Sequence, residues 1–435
     1  MLSCFKIRNF RSILDLKVDL SYGEGKAPNN YREWTVFPFL ETPNKKKFVP
    51  CLSLYGANAS GKTNVIKALL TFNRVVRKGI ENCFFPNKLN PKYDYSGFDI
   101  EFFVGKDNFK YGIEYNAVTI HKEYLIKNGI ELYSIDKKGK NNLAKIATED
   151  YPEQKLNNII AVECSNFISE DKLAQTLPFL NKICSAYKGL NRDLNKVYDF
   201  ICKSLVITLT NELPYRMFLN KLAATGTNGT TEQNIQGAFD KVATMMKKFD
   251  IDIQRMSFNR EIFHLPETKT INIKEATSIF QNRRENTVEV DYIKSYHKDV
   301  NGAEVEFNFS NDESNGTNVL LPVLGCVLLA LQNGSVLVID ELDRALHPML
   351  VAQIVRMFKD KQYNKTNAQL IFTSHATDIL TPDTFRVSEV AIINKTLEAG
   401  TTFKRISDYE KVRNITDFRR LYWNGGFGGI PFAYI

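Results

Sequence analysis

The sequence is poor in the residues from which metal centres and disulfide scaffolds are made. Its 435 residues include seven cysteines and five histidines. The cysteines lie far apart, in neither a metal-binding nor a disulfide spacing, which suits buried thiols in a reducing cytoplasm. The histidines are equally scattered, so no zinc cluster is expected. No uninterrupted apolar run reaches bilayer-spanning length; the longest, near Val319–Leu331, contains Pro322 and Gly325. The opening residues, Met1 to Phe10, place Lys6 and Arg8 where a signal peptide needs its apolar core. A cytoplasmic chain without a membrane partner is therefore expected. Internal repeats, low-complexity stretches and sustained heptads are also lacking, which argues against a solenoid and a long coiled-coil arm. No Ser/His/Asp hydrolase elbow is present.

What is present describes a globular protein. Hydrophobic residues make up 43% and charged residues 24%, a balance that can fill a core, and the length favours two or three structural units. Lys and Arg exceed Asp and Glu by 57 to 49, a net charge of +8. The basic residues are spread along the chain, and runs such as Asn44–Lys47 and Lys137–Lys140 read as solvated loops. Contact with nucleic acid is permitted by this charge, not demanded.

Hydrophobic periodicity divides the chain into three parts. Residues 1–162 begin with strands at Phe5–Asn9 and Leu14–Leu20, then a polar stretch at Tyr22–Asn30. The strand Phe48–Tyr55 leads into a glycine loop and a helix over Thr63–Lys78. Alternation at Phe98–Phe103, Lys110–Val118 and Glu123–Lys127 predicts an antiparallel sheet. Residues 163–275 change character: Leu173–Lys188, Asn191–Leu213 and Thr231–Phe249 read as helices, with a Gly/Thr/Asn-rich loop at Ala223–Thr231. They are expected to form a mostly helical insertion. Residues 276–435 return with a hairpin at Val288–Phe309, then Thr317–Gln332, Ser335–Ile339, Met349–Lys359 and Gln369–Thr373 in α/β order. The expected fold is an α/β core with an antiparallel β-subdomain and an inserted helical domain.

The strongest local pattern is Gly56-Ala57-Asn58-Ala59-Ser60-Gly61-Lys62-Thr63, which fits GxxxxGK[ST] between a strand and a helix. Gly56 and Gly61 let the backbone wrap a phosphate chain without an obstructing Cβ. The N–H groups of Asn58, Ala59 and Ser60 and the helix N-terminus then face the anion. Lys62 would reach the β- and γ-phosphates of ATP, and the Thr63 hydroxyl would bind Mg²⁺. A second pattern is Val336-Leu337-Val338-Ile339-Asp340-Glu341. Read alone, this strand could end in a solvated acidic loop. Beside the glycine loop, Asp340 reads as a holder of the Mg²⁺ shell and Glu341 as the group that orients and deprotonates the attacking water.

Three more features complete the set. Ser314-Asn315-Gly316-Thr317 opens a helix 26 residues before Asp340, where a serine makes an N-cap and the helix start can receive an anion. Asp343 lies in the run Leu342-Asp343-Arg344-Ala345-Leu346-His347-Pro348. His375 follows the strand Gln369–Thr373. A lone histidine is more often structural; this one is the fourth element in a fixed order.

Together with the opening Cys4-Phe5-Lys6-Ile7-Arg8-Asn9-Phe10-Arg11-Ser12, these motifs resemble the ABC-type P-loop ATPase heads of the SMC/RecF kind, over residues 1–130 and 285–395. The ending Tyr422-Trp423-Asn424-Gly425-Gly426-Phe427-Gly428-Gly429-Ile430-Pro431 is similar to that of the RloA/AbiL-type ATPases of bacterial abortive-infection systems. The resemblance implies an ATP hydrolase that closes as a homodimer, from which larger oligomers could be built. One copy would supply Lys62, Thr63, Asp340, Glu341 and the switch histidine His375. The other would supply the signature residues Ser314 and Gly316; Asp343 matches the D-loop and is counted among the nucleotide-binding residues. It also implies a role in anti-phage defence with a separately encoded effector, a toxin or a nuclease. The alternative it allows is a RecF/SMC-like DNA-binding repair ATPase.

One departure and two further features bear on this. ABC-type heads place a metal-sensing Gln after the glycine loop, but no Gln occurs between Lys62 and Gln154. Asp250-Ile251-Asp252 and Glu267-Thr268-Lys269 mimic nuclease motifs without the surrounding βα series, and Asp252 reads better as leading into a strand. The glycine-rich tail Trp423–Phe432 is expected to be flexible and to dock, with the insertion, on a partner.

Overall fold

The computed structural model describes residues 1–22, 40–43, 45–89, 91–137, 176–186, 192–209, 231–264, 276–282, 286–409 and 417–430. The expectations for the loops at 23–30, 138–140 and 223–230, and for Asn44, Glu267–Lys269, Pro431 and Phe432, lie outside these residues. The chain folds into two compact units: Met1–Thr208 with Ala330–Leu342 and Val355–Ile435, and Leu209–Leu329 with Asp343–Ile354.

Eighteen strands occur among the described residues. The first nine are β1 (Leu2–Phe10), β2 (Ile13–Asp19), β3 (Leu40–Glu41), β4 (Lys47–Phe48), β5 (Cys51–Tyr55), β6 (Ser96–Val104), β7 (Asp107–Tyr115), β8 (Ile120–Lys127) and β9 (Ile130–Asp136). They continue with β10 (Leu205–Leu209), β11 (Arg255–His264), β12 (Ser278–Asn282), β13 (Thr287–Lys298) and β14 (Glu304–Asn308). The last are β15 (Val336–Asp340), β16 (Gln369–Thr373), β17 (Val390–Thr396) and β18 (Gly400–Arg405).

The first unit is built on a twelve-stranded sheet in the order β10-β15-β16-β5-β17-β18-β2-β1-β6-β7-β8-β9. Strands β15, β16, β5 and β17 run parallel. Their sequences explain this: VLVID, QLIFT and CLSLY are buried at every position, as strands covered on both faces must be. From β18 to β9 the neighbours are antiparallel. In β2 buried and exposed residues alternate.

Helix α1 (Lys62–Lys78) buries Val65, Ile66, Leu69, Phe72, Val75 and Val76, a stripe at helical spacing. Phe72 packs on Phe5, Phe98 and Tyr111, with ring centroids 5.6–6.1 Å apart, and so joins the helix to the antiparallel part of the sheet. Buried Glu123 accepts hydrogen bonds from the N–H groups of Phe179 (2.7 Å) and Leu180 (2.9 Å) and from the hydroxyls of Tyr111 and Tyr133. It thereby fastens the start of helix α2 (Phe179–Ala186).

The span expected as one helix at Asn191–Leu213 departs from that reading. Its described part is a short helix α3 (Arg192–Asp199), a π-helical turn (Phe200–Ser204) and strand β10, an edge of the large sheet. The β-branched run Val206-Ile207-Thr208 favours the extended form, and burial against the sheet secures it.

In the second unit β13 is the central strand. β11 pairs along its whole length, from Arg255↔Tyr296 to His264↔Thr287. Its other edge is shared by β12 and β14. Helix α4 (Thr231–Lys248) lies on β11, where Phe239 stacks on Phe258 at 5.7 Å and Gln236 donates to the Met256 carbonyl. Asp252 precedes β11 by three residues. Two further helices are α5 (Asn315–Asn333) and α6 (Pro348–Lys359). Pro322 lies inside α5, so the expected break in that apolar run is not one. By length and composition α5 could cross a membrane, but 67% of its most apolar window is buried within the protein, as in a core helix.

Candidate functional site

The glycine loop leaves the buried end of β5 and enters α1. Gly56 is tight against the Ile393 carbonyl, where a Cβ would collide. Ala59 (φ 61°) and Gly61 (φ 108°) adopt left-handed conformations that close the loop. Asn58 and Ala59 are exposed, whereas Ser60, Gly61 and Lys62 are buried. The Lys62 ammonium turns back over the loop and donates to the carbonyls of Gly56 (2.7 Å) and Ala57 (3.0 Å). Its charge therefore sits at the loop's centre, where a phosphate chain could replace those carbonyls.

The far end of the loop is braced by residues distant in sequence. Ser12, from the turn between β1 and β2, shares a 2.7 Å hydrogen bond with Thr401. Asn64 donates to Ser12 (2.7 Å), and the Thr401 hydroxyl donates to the Ser60 carbonyl (3.1 Å). A Cβ on Gly61 would collide with Thr401 Oγ1, so glycine is required there by space as well as by φ.

Strand order places the acids. β16 lies between β5 and β15, and Thr373 at its end stands between the loop and the carboxylates. Thr373 Oγ1 donates to Asp340 Oδ1 (2.7 Å) and accepts from the Glu341 N–H (2.6 Å). Thr63 Oγ1 donates to the same Asp340 oxygen at 3.3 Å. Thr63 and Asp340 are thus brought together as expected. Their oxygen-only donor set fits Mg²⁺, which takes one or two protein oxygens and keeps water and phosphate for the rest. Asp340 is buried. Glu341 is half-buried on a left-handed backbone (φ 52°). His375 is exposed, two residues beyond β16.

In the second unit Ser314 caps α5: the Thr317 N–H donates to Ser314 Oγ at 3.1 Å, and the two hydroxyls are 2.8 Å apart. Ser314 is exposed and Gly316 half-buried. A Cβ on Gly316 would lie 3.1 Å from the Ala345 carbonyl, so the helix start and the loop carrying Asp343 pack side by side. Glu313, just before the cap, accepts from Ser295 (2.5 Å) and bonds His297 Nε2 (2.6 Å), tying this start to β13.

The tail departs from expectation. Helix α7 (Phe418–Trp423) and the turn after it are packed on the glycine loop. Tyr422 and Phe427 are buried; Trp423 remains 62% exposed. Tyr422 Oη donates to the Gly429 carbonyl (2.9 Å), and burial pushes this phenol's pKa up. Burying these rings is worth more than leaving the turn free.

Sequence reasoning missed Thr373, Thr401 and Tyr422 as parts of this site. Thr373 could have been found, since it stands in the Thr373-Ser374-His375 run read only for its histidine. Nothing local marks Thr401 or Tyr422.

A parallel core with a lysine-bearing glycine loop, an acidic strand two places away and an antiparallel extension make up a P-loop nucleotide-binding α/β fold. Residues 226–380 match the family described as "AAA domain, putative AbiEii toxin, Type IV TA system". Among solved structures, the chain is similar to the SMC head domain from Thermotoga maritima, with 10% identity and a TM-score of 0.42 over 93% of this chain and 98% of that one. The comparison with curated proteins gives no match.

Proposed function

We propose that this chain binds and hydrolyses ATP with Mg²⁺ as the regulatory subunit of a prokaryotic anti-phage system of the abortive-infection kind. The observation that carries the reading is the convergence of Thr63, Asp340 and Thr373 at one strand end beside the Lys62 loop. In this reading the backbone from Gly56 to Gly61 cradles the phosphates and Lys62 neutralises them. Thr63 and Asp340 hold the metal, Glu341 activates water, and His375 reaches the γ-phosphate. Ser314, Gly316 and Asp343 serve the nucleotide of a second copy, so ATP closes a dimer and hydrolysis reopens it.

The family matched over residues 226–380 is described in terms of a toxin and a toxin–antitoxin system, which supports a separately encoded effector. The proposal treats residues 163–275 as the insertion that meets this partner. The test is phage plating on cells carrying the ATPase alone, the ATPase with its neighbouring gene, and that pair with Lys62→Ala. Protection from the intact pair only is the expected result. Full protection from the ATPase alone would remove the partner, and equal plating on all three would favour a DNA-repair role.

A further inference from the structure

The glycine turn after α7 occupies a position that packing alone does not require. Gly429 (φ 74°) lies so close to the loop that its Cβ would stand 2.7 Å from Ile392 Cγ2 and 3.4 Å from Gly56 Cα. Gly428 is equally tight against Asn394, where a Cβ would stand 2.9 Å from Nδ2. The turn is fixed from outside by Tyr409, whose hydroxyl donates to the Phe427 carbonyl (2.7 Å) and whose ring meets Phe427 at 5.2 Å. From inside, the Tyr422 hydroxyl holds the Gly429 carbonyl (2.9 Å), and Gly429 in turn lies against Gly56.

The same short helix also reaches the segment that follows His375. The Tyr422 ring meets Tyr55 edge-on at 6.1 Å, and the Tyr55 hydroxyl donates to the Ala376 carbonyl (3.0 Å). Arg419 pairs with Asp378 at 2.7 Å, in an exposed bridge that adds little energy but fixes direction. One element therefore touches both the entry of the glycine loop and the loop beyond the histidine.

We propose that Tyr422 and the Gly425–Gly429 turn are a positioning element of the nucleotide site, which sets ATP affinity by holding the Gly56 peptide in its phosphate-ready orientation. This rests on the nucleotide reading above. A peptide plane at a loop entry is free to rotate; with Gly429 held by Tyr422 and packed against Gly56 Cα, that rotation is blocked and the ordering cost of binding falls. The effect falls on ground-state binding, because Tyr422 touches neither the metal pair nor Glu341.

The test compares Tyr422→Phe, which keeps the ring and loses the hydroxyl, with Gly429→Ala, which forces the turn off the loop. Arg420→Ala, on the exposed side of α7, serves as control. Binding of mant-ATP with Mg²⁺ is measured on the full chain, alongside turnover and melting without nucleotide. Tyr422→Phe is expected to weaken binding by about 2- to 10-fold, the worth of one such hydrogen bond. KM should rise in step, while kcat at saturation and the melting temperature hold. Gly429→Ala should shift affinity further in the same direction. A purely structural role would lower melting and the active fraction at unchanged Kd, and either that pattern or unchanged Kd in both variants overturns the proposal. Wild-type protein that binds no mant-ATP would instead sink the nucleotide reading itself, and this inference with it.

Discussion

Thr373→Val is the substitution from which the geometry foretells most. The side chain keeps its volume and loses one hydroxyl, and that hydroxyl makes two bonds, to Asp340 Oδ1 and from the Glu341 N–H. Asp340 then loses the donor that orients it toward Thr63. Partners of this outer kind are worth about 10- to 100-fold in metal affinity or activity. The Glu341 N–H loses its acceptor, at about 1–3 kcal/mol. That bond also helps to hold Glu341 in a left-handed conformation, which a non-glycine residue otherwise avoids. The assay is ATP turnover titrated with Mg²⁺. Half-saturation should move up by about 10- to 100-fold, and kcat at saturating metal should also fall as Glu341 drifts. Thr373→Ser, which restores the hydroxyl, should recover most of both. An unchanged Mg²⁺ curve for the valine variant would refute the bridging role, whatever happened to stability.

Three other outcomes are expected. Glu341→Gln keeps shape and removes the carboxylate proposed as the base, so ATP should still bind while hydrolysis falls by about 100-fold or more; wild-type turnover would place the base elsewhere. Lys62→Ala and Ser314→Arg chains, each inactive, should recover part of the activity when mixed, since one composite site in the mixed dimer keeps both good halves. No recovery from demonstrated mixed dimers would mean that each chain works alone. Gly61→Ala should abolish nucleotide binding and lower the melting temperature, because its Cβ collides with Thr401 Oγ1; tolerance would show that the Ser12–Thr401 brace yields.

The division between what was legible in the sequence and what was not follows the range of the interactions. β5 with the glycine loop and α1 could be read because an all-apolar strand, two glycines and a helical stripe are local patterns. The acidic strand β15 was legible for the same reason. Strand β10 was not: Leu205–Leu209 sits among helical periodicities, and only the sheet edge it joins makes it extended. The Ser12–Thr401 bond spans the whole core, and no local composition announces such a partner. The tail was misread because glycine reports conformational freedom, while the buried faces of Tyr422 and Phe427 decide whether that freedom is used.

The brace on the glycine loop also bears on how the protein is made. Ser60 and Thr401 are 341 residues apart. At about 5–20 residues per second a ribosome needs roughly 17–70 s to travel from one to the other. During that interval the loop and its helix have left the ribosome, but the strand that completes the loop's far wall does not yet exist. A nascent chain halted before β17 and β18 should therefore not retain nucleotide, even with every residue of the phosphate motif present. Competence to bind arrives late and all at once, when the last strands close onto the first.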